Sequence, residues 1–307
     1  MGITYRLHAA AASFWREWYR DLRRHSGDER LPYPIRTTLR DAADRAFARC
    51  AVEEARAIVP RWNRQAIRTA PPVRLSAEDE RRARCLAAEV GIADGQPTVA
   101  VEMLRPDLWS SAIELLRRED YQIVRIGDGA DGVLHGPGVI DVTSHSPGML
   151  LEKYLLASSA FVVCDSAALQ HAAYATDTPS LRLDARDPFS AYPIRPNSVF
   201  TLATVVDLDT GRLLGLADLL TPQYFRNTRN CGYRPTRGAE IAAAVSEMID
   251  GVRHGWRESD AQARCRRAVA DAGTALAAQV RDVIEWDAAG GFVGDGRLAR
   301  VQAERAL

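Results

Sequence analysis

The chain has 307 residues, 47% of them hydrophobic, which is enough for two ordinary domains or one large one. Basic and acidic residues number 40 each, so no overall charge favours nucleic acid or an anionic membrane as a partner. Five scattered cysteines without C-x-x-C spacing argue against a disulfide framework or a zinc site. The sequence has neither a secretory leader pattern nor an apolar run of about 18 residues, so we expect a soluble, cytoplasmic protein without a transmembrane segment.

The first 70 residues are helical in character. The stretch "SFWREWYRDLRRH" places aromatic and aliphatic side chains on one helical face, namely Phe14, Trp15, Trp18, Tyr19 and Leu22. A second helical segment follows the break at "RLPYPIR". We predict a helical N-terminal extension over residues 1–70 that forms a homodimer or contacts a partner, with packing on its own chain or on a membrane surface as alternatives.

From residue 71 onward the sequence pattern changes. Ser76 is a plausible N-cap for an amphipathic helix that stops near Gly91. Short apolar runs then alternate with helical segments, the runs being residues 98–104, 121–127, 138–142, 160–164 and 179–184. This alternation predicts an α/β fold with a Rossmann-like parallel sheet at about residues 95–185, in a domain of residues 71–307 that ends in helices from Gly238 onward.

Polar residues follow several of these predicted strands. In parallel α/β sheets, ligands bind beyond the carboxyl ends of the strands, near helix N-termini. The candidates there are Glu102, Arg105, Arg125, Gly127, Asp128, Asp141, Thr143, Ser144, His145, Ser146, Asp165 and Ser166. The loop "RIGDGADG" is rich in glycine but lacks the spacing of the dinucleotide and P-loop motifs.

Asp165 and Ser166 stand where a predicted strand meets a predicted helix. Either residue can cap a helix that starts at Ala167, and capping alone or capping with ligand contact are both open at this point. The charge of Asp165 would repel a phosphate, so this residue suits a sugar hydroxyl or a base edge better.

Several pieces of the chain, in this order, resemble a family of bacterial GT-B-type glycosyltransferases. The pieces are "PPVRLSAEDERRARCLAAEVGIADGQPTVAVEM", "YQIVRIGD", "VIDVTSHSPGMLLEKYLLASSAFVVCDSAAL", "DTGRLLGLADLL", "GAEIAAAVSEMIDG" and, faintly, "GGFVGDGRL". The family is encoded with polysaccharide or natural-product pathways and is distantly similar to heptosyl- and fucosyltransferases. The resemblance corresponds to the C-terminal domain of the GT-B fold.

The resemblance implies a nucleotide-sugar donor at the carboxyl edge of the sheet, an unidentified acceptor, and transfer that needs neither a metal nor another cofactor. Glu102 is the candidate catalytic base, with a salt bridge to an arginine as the alternative. The candidates for binding the donor and its phosphates are Arg105, Arg125, Gly127, Asp128, Ser144, Asp165 and Ser166. Arg125 is the best phosphate candidate, and an arginine that is ion-paired at its strand end is the alternative.

The chain departs from the family pattern at several positions. A His-x-Arg pair is replaced by Glu102 and Leu104, a Thr-Ser-Ser-Gly turn is replaced by residues 165–168, and a lysine beyond the fifth strand is absent. Helical sequence stands in place of the family's N-terminal Rossmann domain. These departures keep two alternatives open: a non-catalytic binding subunit that retains the fold, and a scaffold recruited to another reaction.

Overall fold

The structure is a computed structural model that describes residues 72–102, 108–127, 138–143, 149–186, 188–191, 195–277 and 292–293. The contacts between residues divide the chain into two units, Met1–Ala70 and Pro71–Leu307. Every described residue belongs to the second unit. The predicted helical extension and its role in dimerisation therefore lie outside the described residues. None of the described helices combines the length and the apolar character needed to cross a bilayer.

The strands and helices of the described residues alternate along the chain. The strands are β1 (Thr98–Val101), β2 (Gln122–Arg125), β3 (Val139–Asp141), β4 (Phe161–Cys164), β5 (Ser180–Ala185), β6 (Ser198–Leu202), β7 (Thr204–Asp207), β8 (Leu213–Leu214), β9 (Cys231–Arg234) and β10 (Phe292–Val293). The α-helices are α1 (Ala77–Glu89), α2 (Ser110–Arg118), α3 (Met149–Ser158), α4 (Ala167–Thr176), α5 (Pro188–Ala191), α6 (Leu216–Leu219), α7 (Pro222–Arg226), α8 (Gly238–His254) and α9 (Asp260–Ala277).

Within these residues the main sheet has seven strands in the order β10-β6-β5-β4-β1-β2-β3. Every neighbouring pair is parallel. The stretch from β3 to β6 has the strand order of a Rossmann fold, and the order reverses between β1 and β4. The predicted α/β fold with a Rossmann-like parallel sheet is confirmed.

Helices cover both faces of this sheet, which explains why its central strands are apolar without interruption. On one face, Val99 and Val101 of β1 pack in a cluster with residues of α2 and α8 such as Leu116 and Met248. On the other face, the intervening Ala100 packs with residues of α1, α3 and α4. The alternation of side chains along a strand sends neighbouring residues to opposite faces, so each central strand contributes to both cores.

Two helix caps that the sequence predicts are present. The Ser76 side chain accepts a hydrogen bond from the Asp79 backbone N–H at the start of α1. The Ser166 side chain accepts one from the Leu169 backbone N–H at the start of α4. Each bond satisfies one backbone donor that has no partner inside the helix, so these two helices begin where the caps are.

Three features of the structure go beyond the sequence prediction. Strand β6 continues the main sheet, and β7 lies between β8 and β9 in a small antiparallel sheet. Helices α8 and α9 agree with the helices predicted from Gly238 onward, but β10 lies in that segment and pairs with β6. A two-residue strand has too short a pattern to be recognised from sequence.

We expect Leu116→Ala to lower the free energy of unfolding by about 2–5 kcal/mol, because it empties space in the core. Leu116 of α2 is fully buried, with 0% of its surface exposed. Leu208→Ala makes the same chemical change at a side chain that is 60% exposed, and serves as the matched control. Urea unfolding of both variants checks this expectation, and equal losses would contradict the assigned core.

Candidate functional site

Glu102 lies at the point where the strand order reverses. It follows β1 directly, and its backbone N–H donates to the Val163 carbonyl of β4 at 2.8 Å. Its side-chain Oε2 accepts a hydrogen bond of 3.0 Å from the backbone N–H of Ser166. The carboxylate therefore sits at the N-terminus of α4, where the helix dipole stabilises a negative charge.

Asp165 stands next to this contact, at the end of β4. Burial raises the pKa of its carboxyl group to about 7, and the negative charges of Glu102 and Asp184 contribute. Its Oδ1 atom is buried and has no hydrogen-bond partner among the described residues. A buried oxygen without a partner is costly, so this atom is suited to receive a hydrogen bond from a ligand or to carry a proton.

Asp184 supplies a third carboxylate at the same edge of the sheet. Its backbone has a φ of +54°, a conformation uncommon for residues other than glycine. The carboxylate Oδ1 accepts hydrogen bonds from both the backbone N–H and the side-chain hydroxyl of Thr236, and the Asp184 N–H donates to the Thr201 hydroxyl. These bonds hold Asp184 in place beside Asp165.

Arg125 ends β2 and is almost fully buried, with 3% of its side chain exposed. Its Nη1 donates to Asp141 Oδ2 on the neighbouring β3 at 2.9 Å. The other oxygen, Asp141 Oδ1, accepts bonds from the backbone N–H and hydroxyl of Thr143. This geometry is that of the ion-paired strand-end arginine, and contact between Arg125 and a phosphate stays a prediction.

Of the remaining predicted site residues, the structure describes Gly127 but not the other three. Gly127 follows β2 with a φ of +110°, which favours glycine, and a Cβ there would lie 3.9 Å from the Glu102 Cγ. Arg105, Asp128 and Ser144 lie outside the described residues. The structure thus brings Glu102, Gly127, Asp165 and Ser166 together and places Arg125 in its own pair with Asp141.

Sequence reasoning missed Asp184 and Glu152 as members of this site. Burial and the charge of Glu102 raise the pKa of Glu152, which lies on α3. Asp184 is the last residue of a predicted strand, so the sequence alone could have placed it at the carboxyl edge of the sheet. Glu152 gives no such signal, because its approach to Glu102 depends on how α3 packs.

Four carboxylates therefore gather near the reversal point: Glu102, Glu152, Asp165 and Asp184. Such a group can accept hydrogen bonds from hydroxyl groups and exchange a proton with them. Among the residues that the structure describes, no three His, Cys, Asp or Glu side chains are arranged to hold a metal ion.

A cavity of about 520 Å³ opens at the opposite edge of the sheet. It is lined by α1, by the segment leading to Thr98 at the start of β1, and by α3 near Tyr154. Ligands of parallel α/β sheets bind beyond the carboxyl ends of the strands. The cavity lies at the amino ends, so the residues around Glu102 remain the candidate site.

No protein-family model matches the chain, and no curated protein matches it. Among solved structures, the chain is similar to the ADP-heptose LPS heptosyltransferase II of E. coli, with a TM-score of 0.34 and 16% sequence identity. The match covers 42% of this chain and 44% of the heptosyltransferase chain, less than half the length of either. A likeness of this size does not assign the chain to a family.

We expect Asp141→Asn to cost about 3–5 kcal/mol of unfolding free energy, because it removes the carboxylate charge that faces the buried Arg125 guanidinium. Glu80→Gln is the control, since it breaks the exposed ion pair with Arg84 on α1 and should change stability little. Urea unfolding measures both changes. A loss no larger than that of the control would show that the Arg125–Asp141 pair does not stabilise the fold.

We expect the stability of Asp165→Asn relative to the natural chain to rise as the pH increases from about 4 to about 7. The raised pKa of Asp165 means that the folded state binds its proton more tightly than the unfolded state. The natural protein therefore loses folding stability as the pH rises through this window, whereas an asparagine at this position has no proton to lose. Thermal unfolding across the pH series checks this, with Asp94→Asn, at an exposed carboxylate, as the control.

Proposed function

We propose that this chain transfers a glycosyl group from a nucleotide-sugar to a hydroxyl-bearing acceptor by direct displacement and without a metal. The observation that carries the proposal is the pairing of Glu102 and Asp165 at the reversal point of a Rossmann-like sheet. The sugar-binding reading agrees with the resemblance noted in the sequence, which implies a bacterial polysaccharide or natural-product pathway.

Glu102 is the proposed catalytic base. One carboxylate oxygen is fixed by the Ser166 N–H, so the orientation of the group is set before any ligand arrives. The acceptor hydroxyl attacks the anomeric carbon, its proton passes to Glu102, and the bond to the diphosphate breaks. General-base catalysis of this kind requires the carboxylate to lie within hydrogen-bond reach of the hydroxyl.

Asp165 is the proposed ligand-binding partner of Glu102. Its unpartnered Oδ1 suits a hydrogen bond with a sugar hydroxyl, which would relieve the cost of burying that oxygen. A carboxyl group that titrates near neutral pH can either accept or donate this bond. Gly127, which lies beside Glu102, leaves room for the sugar to approach.

The diphosphate of the donor needs positive charge or backbone N–H groups to stabilise it as it leaves. The candidates in the proposal are the guanidinium groups of Arg105 and Arg125 and the backbone N–H groups of Asp128 and Ser144. Ser166 caps α4 and already donates its N–H to Glu102. The phosphates are therefore assigned to the β2 and β3 side of the site.

A second candidate function is a binding subunit that keeps this fold without turnover. It is favoured by the buried ion pair of Arg125 with Asp141, since an arginine committed to a carboxylate gives a phosphate less net attraction. The two functions differ in one measurable respect, because only the transferase releases a nucleoside diphosphate.

We expect a thermal-shift screen against nucleotides and nucleotide-sugars to identify a donor, because a ligand that binds only the folded state raises its stability. With that donor, Glu102→Gln should lower kcat by about 10²- to 10⁴-fold while the donor still binds. Release of nucleoside diphosphate in the presence of a panel of hydroxyl-bearing acceptors, with and without EDTA, measures turnover.

Glu78→Gln is the matched control, since Glu78 is an exposed carboxylate in the first turn of α1 and is not among the site residues. The control should keep full activity. Absence of a thermal shift with every nucleotide-sugar would overturn the proposal of sugar transfer, and binding without any release of diphosphate would leave the binding subunit.

A further inference from the structure

The N-terminus of α4 is the position at which a Rossmann-like sheet usually presents backbone N–H groups to an anionic ligand. In this chain it lies between the carboxyl ends of β1 and β4, where the strand order reverses. The helix has ten residues and begins at Ala167. An incoming phosphate would be expected here if the N–H groups were free to receive it.

Two of the N–H groups at this helix start have partners within the protein. The Ser166 N–H donates to Glu102 Oε2 at 3.0 Å, and the Leu169 N–H donates to the Ser166 hydroxyl at 3.2 Å. Glu102 is itself an anion, so the protein supplies the negative charge that the helix end attracts. A phosphate that accepted the Ser166 N–H would have to displace Glu102.

The surroundings oppose a second anion as well. Asp165 adjoins the contact, Asp184 is fixed beside it by Thr236, and Glu152 approaches Glu102 from α3. Arg182 of β5 is a basic residue whose charge acts on the neighbouring Cys164, and its Nη1 donates to Gln170 Oε1. Like charges at close range repel an anionic ligand and leave uncharged or cationic groups favoured.

Asp165 nevertheless offers one atom for contact with a ligand. The buried Asp165 Oδ1 has no hydrogen-bond partner among the described residues, and a hydroxyl or amine of a ligand would satisfy it. The diphosphate of a nucleotide-sugar carries no proton at neutral pH, so it cannot donate such a bond to the carboxylate of Asp165, and an ionised carboxylate repels it. The unsatisfied oxygen thus selects for a hydrogen-bond donor.

We propose that Glu102 is a specificity-determining residue that makes the reversal point of the sheet reject phosphate and accept the hydroxyl-bearing part of a ligand. This inference rests on the proposed function, because it assigns the sugar to the reversal point and the diphosphate elsewhere. In this arrangement Glu102 is an internal anion that occupies the helix end before a ligand binds.

The test is a titration of the full chain with inorganic pyrophosphate, and separately with phosphate, followed by the backbone amide resonances of Ser166 and Leu169. In the natural chain these resonances should not move. Glu102→Ala vacates the helix end and should bind pyrophosphate about tenfold or more tightly than the natural chain, with saturable shifts at both amides.

Two further variants keep the test decisive. Glu102→Gln preserves the shape of the side chain without its charge and should also gain binding, which covers the case in which the alanine variant does not fold. Glu152→Gln removes a nearby negative charge but leaves Glu102 in place, and should gain little. Both variants are followed through the same two amides.

The proposal is overturned if the natural chain binds pyrophosphate with shifts at Ser166, or if neither Glu102 variant gains binding. It is also overturned if Glu152→Gln gains as much as Glu102→Ala, since charge alone would then account for the effect. None of these measurements uses turnover, so failure of sugar transfer and failure of the selectivity role are told apart.

Discussion

The contact between the Glu102 carboxylate and the Ser166 N–H organises the candidate site. It joins the ends of two strands that are adjacent in the sheet but are separated along the chain by α2, β2, β3 and α3. The bond exists because the parallel sheet brings β1 and β4 side by side with their carboxyl ends level. The position of Asp165, next to Ser166, follows from the same arrangement.

Two uses of a buried charge are visible at this edge of the sheet. The Arg125 guanidinium faces Asp141, so the charges compensate each other, and the pair belongs to the framework. Asp165 has acidic neighbours and a raised pKa, so its charge is opposed rather than compensated. Groups of the second kind cost stability, and proteins retain them mainly where ligands or protons are handled.

The sequence patterns that predicted the structure correctly were local ones. Ser76 and Ser166 precede helical periodicity and cap the helices as expected, and uninterrupted apolar runs correctly indicated strands buried on both faces. The partners of the polar side chains were not accessible in this way. Arg125 meets Asp141 because β2 lies beside β3, and Asp184 meets Thr236 through a contact between distant segments, so both depend on the assembled sheet.

Asp184 also joins the candidate site to the segment that follows the small antiparallel sheet. Thr236, which holds its carboxylate, lies on the short link between β9 of the small antiparallel sheet and α8. The φ of +54° at Asp184 belongs to a kinked stretch of β5 where pairing with β6 changes register. Because Thr236 supplies both of these hydrogen bonds, the placement of the Asp184 carboxylate depends on a segment that lies outside the main sheet.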